Sequence, residues 1–247
     1  MFSENLSIRW LLLDIEGTTS SVDFVYKTLF PFASARAQDY LREHFSERET
    51  QKLIESLRIE HEREATNDPK IGAWRGNSAE ETLETAASFV RHLIALDRKV
   101  TPLKTLQGMI WEEGFKSGEL QGHVYEDVPR AFARWKGQEK KIAIFSSGSV
   151  QAQKLLFGHS VAGDLTKHIE AYFDTTTGPK RETASYTAIA KSLGTSAGDV
   201  LFVSDVIAEL NSAHEAGMRT AWMVRPGAPE QEKSRHARIE NFESVFA

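Results

Sequence analysis

The chain has 247 residues, 40% of them hydrophobic and 26% charged, a balance that suits a packed globular protein and excludes disordered, collagen-like and low-complexity chains. It has no cysteine, so disulfides, thiolate zinc sites, iron–sulfur clusters and cysteine nucleophiles are excluded as well. A net charge of −5 offers no basic field for nucleic acid, and apolar runs such as Trp10–Leu13 fall far short of the ~20 residues a membrane span needs. No basic segment followed by an apolar one opens the sequence. A soluble cytoplasmic protein is therefore expected. No heptad stripe demands a partner, so the expected state is a monomer.

The first predicted strand is Ile8–Asp14, apolar from Trp10 to Leu13 as in a parallel strand buried on both faces. Gly17, Thr18 and Thr19 break the pattern. From about residue 20 to residue 123 only helical periodicity is found. One helix is predicted through Ala35–Leu57, with Leu41, Phe45, Leu53, Ile54 and Leu57 as its apolar side. A second opens on a capping box, Ser78 with Glu81, and carries Leu83, Ala87, Val90 and Ile94 at helical spacing. A third opens on Thr101 and Pro102, read as cap and first turn, and fades at Gly114 and Gly118.

After residue 124 strands and helices alternate. Strands are predicted at Lys141–Ser146, Ala171–Phe173, Val200–Ser204 and Arg219–Val224. The helices between them are one capped by Ser149 and stopped at Gly158, then Lys180–Ser192, then Ile207–Ala216. This alternation implies an α/β fold built on a doubly wound parallel sheet. Residues 1–19 and 124–247 are expected to form that core, with residues 20–123 as a helical insert. Such sheets bind ligands beyond the carboxyl ends of their strands, where strand order reverses.

Several chemically capable residues fall just past those ends. Asp14-Ile15-Glu16-Gly17-Thr18-Thr19 follows the first strand and Ser146-Ser147-Gly148-Ser149 the second. Gly178-Pro179-Lys180 precedes a helix, and Ser204-Asp205 closes a buried strand. Carboxylates from two strands can share one Mg²⁺ or supply a nucleophile. A hydroxyl-rich turn at a helix start offers unpaired N–H groups to phosphate, and a lysine neutralises further charge. Each piece alone has an ordinary reading as a cap, a turn or a solvated side chain. Their order along one sheet edge, without a Walker-type glycine loop, describes phosphoryl transfer.

That order resembles the haloacid dehalogenase superfamily across the core from residue 8 to residue 224. Asp14 and Glu16 fill its nucleophile-and-acid motif, Ser146 or Ser147 its phosphate motif, Lys180 its third motif and Asp205 its metal motif. The helical insert looks like its cap domain. Three further stretches narrow the likeness to the enolase-phosphatases of methionine salvage: Asp-Ile-Glu-Gly-Thr-Thr, Phe145 to Val150, and Ala152 to Ser160. Leu106-Gln107-Gly108 to Trp111 and Gly118-Glu119-Leu120 extend it into the insert. Asp205 has no adjacent acid. Glu209, four residues on, is left out of the metal shell.

The resemblance implies a Mg²⁺-dependent hydrolase that enolises and then dephosphorylates 5-methylthio-2,3-dioxopentyl phosphate, yielding an acireductone and phosphate. Asp14 would be the nucleophile. Asp14, Asp205 and the backbone carbonyl of Glu16 would hold one Mg²⁺, and Ser146, Ser147 and Lys180 the phosphate. The Glu16 side chain is the candidate acid and base. Lys104 and Trp74 are candidates for substrate contacts from the insert. His44, His92 and His159 show no ligand-like pairing. The alternative is a phosphatase of the same superfamily acting on another small phosphate ester. A dehalogenase would leave Glu16 and Asp205 without a task, and a phospho-receiver would not need so long an insert.

Overall fold

A run of seven polar residues, Ser46 to Lys52, interrupts the apolar side of the first predicted helix, and the chain leaves the helix as it meets this run, between Glu43 and Arg48. The computed structural model describes residues 8–68, 71–228 and 234–247. It shows two helices, α1 (Phe30–Glu43) and α2 (Arg48–Asn67), where one was expected through Ala35–Leu57. The intervening residues have no apolar stripe to bury, and Glu47 enters α2 from an extended conformation.

These two helices, with α3 (Ala79–Ala95) and α4 (Thr101–Ser117), form one compact unit, Val25–Leu120. Its core is built from Ala37 and Leu41 of α1, Leu57 of α2, Ala87 and Val90 of α3, and Leu106 of α4, all fully buried. The Ser78 hydroxyl caps α3 by accepting from the Glu81 N–H at 3.2 Å, while the Glu81 carboxylate accepts from Asn77 N–H rather than from the cap itself. Thr101 is not a cap: Val100 holds that position, and Pro102 sits in the first turn, where its missing N–H costs nothing. Gly114 lies inside α4. A Cβ there would stand 2.7 Å from the Phe32 ring, so glycine allows α1 and α4 to approach.

The second unit comprises Met1–Phe24 and Gln121–Ala247. Its strands are β1 (Trp10–Leu13), β2 (Lys141–Phe145), β3 (Ile169–Phe173), β4 (Val200–Ser204), β5 (Arg219–Met223) and β6 (Ala237–Ile239). All neighbours are parallel, in the order β3-β2-β1-β4-β5-β6. The helices are α5 (Asp127–Gly137), α6 (Val150–Gly158), α7 (Thr183–Ser192) and α8 (Ile207–Glu215). Trp10 and Leu12 of β1 pack with Phe202, Tyr186, Ile189, Leu210 and Ala213 under α7 and α8. Leu11 and Leu13 are equally buried on the opposite face, where α5 and α6 pack on β2 and β3. Burying each such leucine is worth about 1.5–3 kcal/mol, so β1 is a rigid base for whatever follows it. The doubly wound parallel sheet read from the sequence is the observed fold.

Three boundaries differ in ways that bear on the site. Asp14 and Ser146 stand just past β1 and β2 instead of ending them. Lys180 lies in a turn, because α7 starts at Thr183 and not at residue 180. Gly178 makes that turn: its φ is +146°, and a Cβ there would stand 2.3 Å from the Ser185 hydroxyl. The short edge strand β6 and helix α5 were not foreseen. Among the described residues no helix is long and apolar enough to cross a membrane.

Candidate active site at the carboxyl edge of the sheet

From β1 the chain passes to β2 and β3 on one side, then returns to β4, β5 and β6 on the other. The reversal puts the crevice beyond β1. Asp14 is there, only 2% exposed. Its Oδ1 accepts from the Ile15 N–H at 2.8 Å and lies 2.6 Å from Lys180 Nζ. Its Oδ2 accepts from the Ser204 hydroxyl at 3.0 Å. The Lys180 ammonium also meets Glu209 Oε2 at 2.8 Å, and the Tyr186 hydroxyl donates to the Lys180 carbonyl at 2.6 Å. Burial pulls the Lys180 pKa down, but Asp14, Glu209 and Glu16 outweigh it and hold the side chain protonated.

The carboxylates are differentiated by their surroundings. Glu16 is pushed up by burial and then by the charge on Asp14; the Ser146 hydroxyl donates to its Oε2 at 3.2 Å. Asp205 is pushed up to about 7 by burial and by Asp14, against the weaker pull of Lys180. Glu209 is raised to about 7 by burial and again by Asp14. The Ser204 hydroxyl has one proton but stands 3.0 Å from Asp14 and 3.1 Å from Glu209. It therefore bridges the two carboxyl groups, which lie on either side of the Lys180 ammonium.

Asp14, Glu16, Lys180, Asp205 and Ser146 are thus brought to one edge. Ser147 is half-buried in the next turn, before Ser149 caps α6 by accepting from Ala152 N–H at 3.3 Å. Since Ser146 already serves Glu16, the two serines are not equivalent. Glu209 and Ser204 were missing from the sequence-derived set. Glu209 sits in the first turn of α8, and only the ion pair it makes with Lys180 in the folded chain shows that its carboxylate reaches the lysine. Lys104 and Trp74 belong to the helical unit, where Trp74 packs edge-to-face on His61.

Four carboxyl groups crowd one ammonium, and the mutual repulsion that adds to burial in raising three of them is what a divalent cation would relieve. Among the described residues no three acidic or histidine side chains form a ligand group by themselves. Two carboxylates with the Glu16 carbonyl fit Mg²⁺, which keeps waters and phosphate oxygens in its shell. The backbone is shaped for this: Gly17 has a φ of +70°, and a Cβ on it would stand 2.2 Å from Asp205 Oδ2. The Asp205 carboxylate can therefore press against the turn that carries the Glu16 carbonyl.

The raised pKa values predict an inverted pH dependence of stability. A carboxyl group whose folded pKa lies above its unfolded value stabilises the fold at low pH and loses that contribution as pH rises through the folded pKa. With Asp205 and Glu209 both near 7, raising the pH from about 6 to about 8 in EDTA should disfavour the wild type relative to an Asp205→Asn, Glu209→Gln variant. In that variant the histidines held down by burial, His61, His123, His168 and His236, respond without these acids. Excess Mg²⁺ should narrow the gap. The same change of melting temperature in both proteins over that interval would contradict these environments.

Compared with known proteins, residues 8–217 match the haloacid dehalogenase-like hydrolases. A protein of Synechococcus elongatus named Enolase-phosphatase E1 is 49% identical over 240 residues, 97% of this chain and 98% of that one. A Drosophila mojavensis protein of the same name is 48% identical over 231 residues, 90% of this chain and 88% of its own. The crystal structure of the UTR4 protein of Saccharomyces cerevisiae superposes with a TM-score of 0.77 at 32% identity, covering 96% of this chain and 99% of that one.

Proposed function

The chain belongs to the haloacid dehalogenase-like hydrolases and, within them, to the enolase-phosphatase E1 family; from that premise we propose that it converts 5-methylthio-2,3-dioxopentyl phosphate into the acireductone 1,2-dihydroxy-5-methylthiopent-1-en-3-one and phosphate, in methionine salvage. The observation that carries the phosphatase half is the contrast between two neighbouring acids. Asp14 is paired with the Lys180 ammonium at 2.6 Å, while Glu16 is held up by burial and by Asp14. A carboxylate paired with an ammonium, beside one that burial and its neighbour's charge bias toward protonation, supplies the division of labour that nucleophile and general acid require.

In this reading Asp14 attacks phosphorus as the bond to the leaving oxygen breaks, forming an aspartyl phosphate on its own carboxylate. Glu16 gives its proton to the leaving oxygen and then takes one from the water that hydrolyses the aspartyl phosphate. Such transfers contribute about 10²–10⁴-fold in rate. Lys180 and Ser147, with Ser146 between phosphate and Glu16, hold the phosphate oxygens. Mg²⁺ held by Asp14, Asp205 and the Glu16 carbonyl would screen the phosphate charge from the incoming carboxylate. For enolisation, Glu16 is the proposed base, one methylene longer than an aspartate at the same place. The helical unit is read as the cap domain. A cytoplasmic setting and a single-chain working unit complete the reading.

The test is phosphate release from a generic phosphate ester with and without Mg²⁺, then NMR of the products from the diketone phosphate. Mg²⁺-dependent release with an acireductone product is expected. Release from the generic ester with no acireductone would reduce the protein to a phosphatase for another small ester.

A further inference from the structure

Arg225 stands two residues past the end of β5, at the same sheet edge as the acids. Its side chain is only 6% exposed, and every arm of its fork is engaged. Nε and Nη2 both donate to the Thr18 carbonyl, at 3.0 and 2.6 Å, and Nη1 donates to Asp127 at 2.8 Å. The other Asp127 oxygen accepts from Phe242 N–H at 2.7 Å. The guanidinium lies 4.0 Å from the Tyr125 ring centre and 5.1 Å from that of Phe242. Tyr125 in turn donates its N–H to the Thr19 carbonyl at 3.1 Å.

All three guanidinium nitrogens already donate within the chain and the side chain is 6% exposed, so Arg225 is held in place by the protein and not offered to a substrate. As a source of stability the pair is a poor choice, since desolvating two charges offsets most of their attraction and an apolar pair would serve as well. The forked geometry does something an apolar pair would not: it fixes one carbonyl in place. That carbonyl belongs to the turn carrying the site. The Thr19 hydroxyl donates to the Asp14 carbonyl at 3.0 Å, Thr18 N–H to Ile15 carbonyl at 3.1 Å, and Gly17 N–H to Ser20 carbonyl at 2.8 Å. Gly17 also lies against Asp205 with no room for a Cβ. The turn is closed by its own bonds, so a shift at Thr18 moves the Glu16–Gly17 peptide relative to Asp14 and Asp205.

We propose that Arg225, oriented by Asp127, is a positioning residue for the catalytic turn, holding the Glu16–Gly17 peptide in register with Asp14 and Asp205 through the Thr18 carbonyl. The inference rests on the reading of that turn as catalytic. Arg225→Lys keeps the charge beside Asp127 but cannot present two donors to Thr18 while holding Asp127. This variant should melt close to the wild type yet lose about 10- to 100-fold in kcat on a generic phosphate ester, with KM within about threefold. Backbone amides of Gly17–Ser20 should exchange faster with deuterated solvent. In Arg225→Ala, guanidinium at millimolar concentration should restore part of kcat by filling the slot between Tyr125 and Phe242, whereas sodium should not.

An Arg225→Lys enzyme with wild-type kcat and unchanged exchange at those amides would overturn the proposal. So would a raised KM at constant kcat, which would make Arg225 a substrate-binding group. The exchange measurement needs no turnover, so it decides the positioning role even if the wild type releases no phosphate. That last result would count against the functional reading alone.

Discussion

Asp14→Asn should release no phosphate from either a generic ester or the diketone phosphate. An amide cannot form the acyl phosphate, and the 2.6 Å charge pair with Lys180 is lost with it. The variant nevertheless keeps an oxygen in place, so the metal-binding edge and Glu16 survive. It should still exchange the acidic carbon-bound proton of the diketone phosphate with deuterated solvent under saturating Mg²⁺. Glu16→Gln should do the opposite and suppress that exchange, because the amide cannot take up a proton. NMR against a no-enzyme control follows both. Substantial phosphate release by Asp14→Asn would remove Asp14 from the nucleophile role, and normal exchange in Glu16→Gln would move the base elsewhere.

Lys180→Met should cost stability as well as turnover. The ammonium, 9% exposed, is shared by Asp14 and Glu209. Removing one partner of a buried ion pair costs about 3–5 kcal/mol, because the carboxylates left behind are uncompensated. The loss should depend on pH in a definite direction. Without Lys180, Asp14, Glu16, Asp205 and Glu209 repel one another most when ionised, so the variant should regain stability as pH falls below about 7. Urea unfolding at several pH values measures this. Phosphate release should fall with it at every pH. A variant as stable as the wild type at about pH 8 would show that the acids are relaxed by something other than the lysine.

The spacing and order of residues along the chain determined the architecture on their own. The apolar run Trp10–Leu13, the alternation after residue 124 and the capped helices are local signals. They are local because burial on two faces, capping and turn formation each depend on a few consecutive residues. The same locality placed Asp14, Glu16, Ser146, Ser147, Lys180 and Asp205 at strand ends and turns. It failed where a long-range contact decides. β6 is a strand only because Ala237–Ile239 find Ala221–Met223 to pair with.

What surrounds each acid was decided by the tertiary structure alone. No spacing in the sequence says that Glu209 reaches Lys180, that Ser204 bridges Asp14 and Glu209, or that Asp127 and Arg225, 98 residues apart, clamp Thr18. Protonation follows from desolvation and from neighbouring charge, and both are properties of what surrounds a side chain in space. Two carboxylates two residues apart, Asp14 and Glu16, look alike in the sequence. They differ in the fold because one faces the ammonium of Lys180 and the other the hydroxyl of Ser146.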